Sequence, residues 1–198
     1  MKFRAYGSVW IAVVWTCGFV CPSAAIEVQP AQAQVQLALD RGKEAAAHRQ
    51  APEALYARFG SGDDLHAGGF LVTKLGALSV LAAHMALRGL EPSAADIAQV
   101  TEAPTMLVSA VILGDSPSFA VNSYMVLDQE GQAVKPVTVR VDGQAGRSSA
   151  WPQSPKFQAK VVASFNYADF DPMARTTIIV FPPSGGEVRF SLNFAELE

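Results

Sequence analysis

The sequence predicts an α+β protein, in which an N-terminal helical segment of two or three helices packs on a C-terminal antiparallel β-sandwich. Apolar side chains recur at helical spacing in residues 26–103, and they alternate with period two in residues 104–198. The period changes at Pro104. About six short strands in roughly 100 residues match an immunoglobulin-like sandwich in size. We expect residues 26–198 to form one compact unit.

The first 25 residues have the three-part pattern of a secretory signal peptide. A basic start with Lys2 and Arg4 precedes an uncharged apolar run, and Ser23 and Ala25 occupy the small-residue positions before Ile26. The run is shorter than the roughly 20 residues of a membrane span, which favours cleavage after Ala25 over retention as an anchor. The chain is therefore predicted to be exported, to a periplasmic or extracellular compartment, with no transmembrane span after cleavage.

The leader also contains both cysteines, Cys17 and Cys21, so the mature chain would have no thiol. Lipid attachment at Cys21 is a minor alternative, because Val20 stands where a small residue would be required. Removal of Lys2 and Arg4 leaves 13 basic and 18 acidic residues, a net charge of about −5. This balance disfavours nucleic acid and anionic lipid as partners, since both attract a basic surface.

Composition and capping residues predict most of the helical segment. Residues 31–48 are rich in Ala, Gln, Glu and Leu, which are good helix formers, although Gly42 weakens the middle. Pro52 opens a second short piece, since proline is tolerated in a first helical turn. Ser93 is an N-cap candidate for a further helix, with Asp96 at its third position.

The stretch 69–90 is apolar over most of its length but contains Lys74 and His84. On one helix over residues 69–89, both polar side chains fall on a single stripe. A membrane span would bury them at depth, so we predict a core helix with a solvent-facing edge. The other faces carry a small stripe, expected to meet another helix, and a large stripe, expected to cover the sheet. The small stripe consists of Val72, Gly76, Ser79, Ala83 and Ala86. The large stripe consists of Leu71, Leu75, Leu78 and Met85.

Six segments of the C-terminal half have strand patterning. Two of them, 105–113 and 175–181, are apolar on both sides and are predicted to be central strands. In the last hairpin, Phe190 and Phe194 are expected to point into the core. The remaining segments are 118–128, 137–142, 156–167 and 187–194.

A search for catalytic motifs finds none. The sequence has no Gly-x-Ser-x-Gly elbow, His-Glu-x-x-His helix, P-loop or dinucleotide fingerprint. Its histidines, His48, His66 and His84, lack the close spacing of metal ligands. We therefore expect no enzyme activity, metal or cofactor. A hydrolase would be favoured instead if His66 or His84 met a carboxylate and a hydroxyl in a cleft.

Four residues are weak candidates for binding: Trp151, Tyr124, Lys74 and His84. Trp151 lies in a long proline-flanked loop, where it either anchors a partner or folds back to plug the end of the core. Tyr124 belongs with Trp151, Tyr167 and Phe170 to a group of aromatic residues that could contribute to a binding surface. Lys74 and His84 are expected to face water, and they would be functional only if their removal abolished binding while leaving the fold intact.

Asp115, Asp169 and Asp171 are weak candidates for calcium ligands. Loops at one end of a sandwich can gather carboxylates around Ca²⁺, which takes six to eight oxygen ligands. Ordinary turn formation is the favoured explanation, because each aspartate is near a serine or proline typical of turns.

Together these features favour an exported, non-catalytic binding or assembly module of a bacterial-type cell envelope, with a protein partner. A small apolar-ligand carrier is the first alternative, and it would need a dry cavity between helices and sheet, lined by Leu75, Leu78, Phe165 and Phe190. A hydrolase with an unrecognised site is the second.

Overall fold

The computed structural model describes residues 26–61 and 63–197, so the predicted leader lies outside the described residues. The α-helices are α1 Gln32–Ala47, α2 Lys74–Ala86 and α3 Ala94–Thr101. Short 3₁₀ turns occur at Pro52–Leu55, Tyr167–Asp169 and Phe194–Glu196. The strands are β1 Ala57–Gly60, β2 Gly68–Val72, β3 Thr105–Gly114, β4 Tyr124–Gln129, β5 Gln132–Val134, β6 Thr138–Val141, β7 Gly146–Arg147, β8 Phe157–Asn166, β9 Arg175–Phe181 and β10 Val188–Asn193.

The strands pair antiparallel in two sheets, which confirms the α+β class. Sheet A has the order β1-β2-β3-β8-β6, with the short β7 also on β8, and sheet B has the order β10-β9-β4-β5. Each of the six segments predicted as strands contains one, and β3 and β9 are central as expected. The immunoglobulin-like arrangement and the order of helices before sheet are not confirmed, because β1 and β2 precede α2 and join sheet A through β3.

One apolar core lies between the two sheets, because alternate side chains of each strand point toward the other sheet. Val108 and Phe165 of sheet A and Leu127 and Ile178 of sheet B are fully buried in it. The last hairpin belongs to this core as predicted. Phe190 and Phe194 are both buried there.

The segment predicted as one helix over residues 69–89 is a strand followed by a shorter helix. Gly68–Val72 pairs with β3, and Thr73 then caps α2, accepting a hydrogen bond from Gly76 N at 3.1 Å. A short apolar run fits a buried strand as well as a helix, so its periodicity could not locate this boundary. The pairing of Gly68–Val72 with β3 makes this segment a strand and sets the start of the helix after it.

The faces of α2 are also assigned differently from the prediction. The close helix contact is made by Gly42 of α1, where a Cβ atom would lie 2.1 Å from the Ser79 carbonyl oxygen. Gly76 instead faces Tyr56, whose nearest atom would lie 3.7 Å from a Cβ placed there. Leu78 packs among the helices, in a cluster with Leu39, and does not cover the sheet.

Strand register places several connecting segments at one end of the two sheets. Gly68 pairs with Val111 and Gly114 with Phe157, which brings one end of β2, β3 and β8 together. The β9–β10 turn joins this end, because it lines a surface depression together with Gly114. We call this end the loop pole. Its connecting segments, as far as they are described, are 61 with 63–67, 115–123, 148–156 and 182–187.

The helices lie toward the opposite end, which we call the helical pole. α2 follows the end of β2, and α3 leads into the start of β3. Lys74, the first residue of α2, lies over the ring of Tyr167 just after β8. In the part of the chain that the structure describes, every helix is too short or too polar to cross a bilayer.

Candidate functional site

The exposed aromatic side chains of the described residues all lie at the loop pole. They are Tyr124, Trp151 and Phe181, with 40%, 41% and 38% of their surface accessible. Tyr124 and Phe181 are paired across β4 and β9. Both point away from the core, because their strand neighbours Met125 and Val180 are fully buried. Sequence reasoning identified Tyr124 and Trp151 but missed Phe181, which it assigned to a strand covered on both sides.

Trp151 is held at the surface and does not plug the core. Its ring meets Phe157 edge-on, with 5.4 Å between the centroids, and the guanidinium carbon of Arg147 lies 4.6 Å from its centroid. A cation above an aromatic face is attracted by the ring quadrupole. The indole is therefore fixed in orientation while much of it stays accessible, which is the state expected of a preorganised anchor.

Asp115 fastens the Trp151 loop to the β3–β4 connection. Its Oδ2 accepts a hydrogen bond from Ser154 Oγ at 2.9 Å, and its Oδ1 accepts one from the backbone N–H of Lys156 at 3.1 Å. This carboxylate is thus occupied by the protein itself. Its role is to position the loop.

The three predicted calcium candidates do not converge. Asp115 follows β3 at the loop pole, whereas Asp169 and Asp171 follow β8 at the helical pole. The ten residues of β8 separate the two ends by about 30 Å. Asp171 Oδ1 accepts a hydrogen bond from Met173 N at 2.8 Å, which is turn chemistry. Within residues 26–61 and 63–197, no three metal-ligating side chains come together.

Lys74 is buried, so the predicted solvent-facing edge is wrong at this residue. Its Nζ donates hydrogen bonds to the carbonyl oxygens of Val28 at 2.8 Å and Thr101 at 2.5 Å, and it lies 5.2 Å from the Tyr167 ring centroid. Burial lowers the pKa of Lys74 and raises that of Tyr167 to about 12. The ammonium satisfies a carbonyl left free at the end of α3, which gives it a structural role. His84, in contrast, is exposed as expected.

The β1–β2 connection brings Ser61, Asp63 and His66 together at a cleft, which is the combination that would favour the hydrolase alternative, although neither Ser61 nor Asp63 was singled out from the sequence. His66 Nδ1 lies 2.7 Å from Asp63 Oδ1, and Ser61 Oγ donates to Asp63 Oδ2 at 2.7 Å. Leu65 N also donates to Asp63 Oδ1, at 2.9 Å. The hydrogen bonds from Ser61, His66 and Leu65 lower the pKa of Asp63 to about 2.

This cluster has the residue types of a hydrolase but not the geometry. In a serine hydrolase the hydroxyl donates to the histidine that removes its proton. Here the Ser61 hydroxyl donates to Asp63, so His66 is not placed to activate it. The arrangement orders the connection between the strands without creating a nucleophile.

A cleft of about 290 Å³ opens between this connection and the outer face of sheet A, and we call it the hairpin cleft. Phe70 and Val111 contribute apolar surface to it. Arg58, Lys160 and Asp64 bring charges. The carrier alternative needed a different cavity, but Leu78 and Phe165 are fully buried in separate clusters, so they line no common pocket.

No protein-family model matches the chain, and a search of curated proteins finds no match either.

Proposed function

We propose that the chain is an exported, non-catalytic binding module that meets a protein partner at its loop pole. One observation carries this proposal: Tyr124, Trp151 and Phe181, the exposed aromatic residues of the described chain, share one end of the molecule. Aromatic residues are enriched at the centres of protein interfaces, where a few of them supply most of the binding energy. The leader pattern supports export to a periplasmic or extracellular location.

The arrangement of the loops supports the same proposal. In an immunoglobulin-like sandwich, the loops at one end carry the binding residues while the sheets hold them in place. By analogy, the two sheets here support the loop pole, and the Asp115 hydrogen bonds keep the Trp151 loop in a fixed position. Fixed loops reduce the ordering cost of association. An assembly role in the envelope likewise requires loops that are held in a fixed position.

The test is quantitative cross-linking in the native envelope, with the triple variant Tyr124→Ala, Trp151→Ala and Phe181→Ala. We expect at least one cross-linked protein to be lost from the triple variant, because truncation of anchor residues at an interface costs about 2 kcal/mol or more each. Unchanged melting temperatures would show that the fold is intact.

The matched control removes three other exposed apolar side chains, through Leu37→Ala, Leu87→Ala and Met173→Ala, which lie away from the loop pole. This variant should keep every cross-link of the original protein. If the control loses the partner and the aromatic variant keeps it, binding occurs elsewhere and the proposal is wrong.

A further inference from the structure

The hairpin cleft separates charges of opposite sign. Sheet A supplies Arg58 from β1 and Lys160 from β8, and the hairpin connection supplies Asp63 and Asp64. Within the described residues, Arg58, Lys160 and Asp64 form no ion pair within 4.0 Å. Unpaired charges that line one small cleft remain available to a ligand.

Strand register explains why both cations reach this cleft. Arg58 is paired with Phe70, and Lys160 with Val111, on the face of sheet A opposite the core. Their strand neighbours Phe59 and Val161 are buried in the core, so Arg58 and Lys160 point outward. Phe70 and Val111 form an apolar floor between the two cations.

The acidic side of the cleft has one occupied carboxylate and one free one. Both Asp63 oxygens accept hydrogen bonds within the hairpin connection. Since the pKa of Asp63 is about 2, its carboxylate is ionised at neutral pH and can only accept, so His66 Nδ1 carries the proton. In a neutral imidazole, His66 Nε2 would then be an acceptor. Among residues 26–61 and 63–197, the Asp64 carboxylate forms no ion pair.

The charges of the cleft sum to zero when His66 is neutral, because Arg58 and Lys160 balance Asp63 and Asp64. A simple anion would be attracted by Arg58 and Lys160 but repelled by the carboxylates. A simple cation would be attracted by the carboxylates but repelled by Arg58 and Lys160. A ligand with both charges satisfies both sides.

We infer that the hairpin cleft binds a small zwitterion. The ligand's oxyanion contacts Lys160, its ammonium contacts Asp64, and its carbon skeleton lies on Val111 and Phe70, while Arg58 adds positive charge at the far side of this floor. The volume of about 290 Å³ is sufficient for a ligand of the size of an amino acid or a close relative. This site is separate from the aromatic residues of the proposed protein interface, so either proposal can fail without the other.

The experiment measures binding of three matched four-carbon probes to the exported chain by ligand-observed NMR. The probes are 4-aminobutyrate, butyrate and butylamine, and ω-amino acids of three, five and six carbons cover other charge separations. We expect saturable binding of at least one ω-amino acid, and at least tenfold weaker binding of butyrate and butylamine. The inference would be overturned if butyrate bound saturably and as tightly as the best ω-amino acid. It would also be overturned if no ω-amino acid bound saturably.

Two variants assign the binding to this cleft. Lys160→Gln should weaken the zwitterion at least tenfold by removing a contact to the oxyanion, and Asp64→Asn should do the same at the ammonium. Lys135→Gln and Glu130→Gln are the matched controls, since both residues are exposed and do not line the hairpin cleft. If Asp64→Asn binds as tightly as the original chain, the site is an anion site or lies elsewhere, and the inference is overturned.

Discussion

Lys74 joins three parts of the chain that are distant in sequence. Its ammonium contacts the carbonyl of Val28 in the N-terminal segment and that of Thr101 at the end of α3, and it lies over Tyr167. Lys74 forms no ion pair with a carboxylate of residues 26–61 or 63–197, which is unusual for a buried lysine, and carbonyl groups take the place of that partner.

We expect Lys74→Ala to lower the free energy of unfolding by about 1.5–3 kcal/mol, the range for a hydrogen bond to a charged group. The exposed His84→Ala is the control and should change it by less than about 0.5 kcal/mol. Urea denaturation of both variants measures the difference. Equal stability of the two variants would contradict the role assigned to Lys74.

Asp63 gives the hairpin connection a defined dependence on pH. Its pKa is lowered to about 2 from an ordinary value of 3.8, first by Ser61 and then by His66. A carboxyl with a lowered pKa stabilises the folded form above its unfolded pKa, and this contribution is lost as pH falls through its folded pKa. The connection should therefore loosen between about pH 4 and pH 2.

The measurement follows the Leu65 amide by NMR, because Leu65 N donates to Asp63. The protection of this amide, relative to an unstructured amide at the same pH, should fall as pH drops through this window, while the buried Val161 amide, which reports unfolding of the whole chain, stays protected. In Asp63→Asn the Leu65 amide should lose this pH dependence. If the Leu65 amide lost its protection only together with the Val161 amide, Asp63 would not hold the connection.

At the scale of elements, one glycine sets the distance between α1 and α2. A Cβ on Gly42 would lie 2.1 Å from the Ser79 carbonyl and 2.8 Å from Ala82 Cβ, so the helices touch through their backbones. Ser79 Oγ strengthens this contact by donating to the Ala38 carbonyl at 2.9 Å. The intrinsic cost of glycine within α1 is offset by this close approach.

Gly42→Ala should therefore destabilise the chain by about 1–3 kcal/mol, the usual cost of overpacking. Gly76→Ala is the matched control in α2, where the nearest neighbour, Thr73 Oγ1, would lie 3.2 Å from the new Cβ. Because alanine is the better helix former, this control should be neutral or stabilising by up to about 1 kcal/mol. Thermal unfolding of both variants provides the comparison. The reverse order of stabilities would place the helix contact at Gly76.

The elements that the sequence predicts well are those with long, regular patterns. β3, β8, β9 and β10 have six to ten residues each and alternate or are apolar throughout. The capping box of Ser93 and Asp96 also begins α3 as predicted. β1, β5 and β7 were missed, because strands of four, three and two residues carry too little periodicity to detect.

The candidate sites were less predictable because they depend on pairing between distant segments. Tyr124 becomes informative only when strand register sets it opposite Phe181. Arg58 and Lys160 line the same cleft because β1 and β8 belong to one sheet, in which β2 and β3 form the surface between them. The one local signal was the spacing of Asp63 and His66, three residues apart in a turn-rich segment, which permits a side-chain hydrogen bond.

At the scale of the whole molecule, the chain cannot be divided where the helical pattern ends. β2, in residues predicted as helical, pairs over its full length with β3, from Gly68 opposite Val111 to Val72 opposite Leu107. Phe59 of β1 also packs on Phe190 of β10, with 4.9 Å between their ring centroids. Both halves of the sequence therefore complete the same core.

We accordingly expect neither residues 26–103 nor residues 104–198 to fold alone. The first fragment would leave β1 and β2 as an isolated hairpin, which is at best marginally stable in water. The second would expose the β3 edge that β2 covers and would lose Phe59 and Leu71 from the core. NMR spectra of the separate fragments should lack the dispersion of the intact chain, whose thermal unfolding should be a single transition. A cooperative melt from residues 104–198 alone would show that sheet A needs only β3, β6 and β8, and that the N-terminal half is an attachment to an independent sandwich.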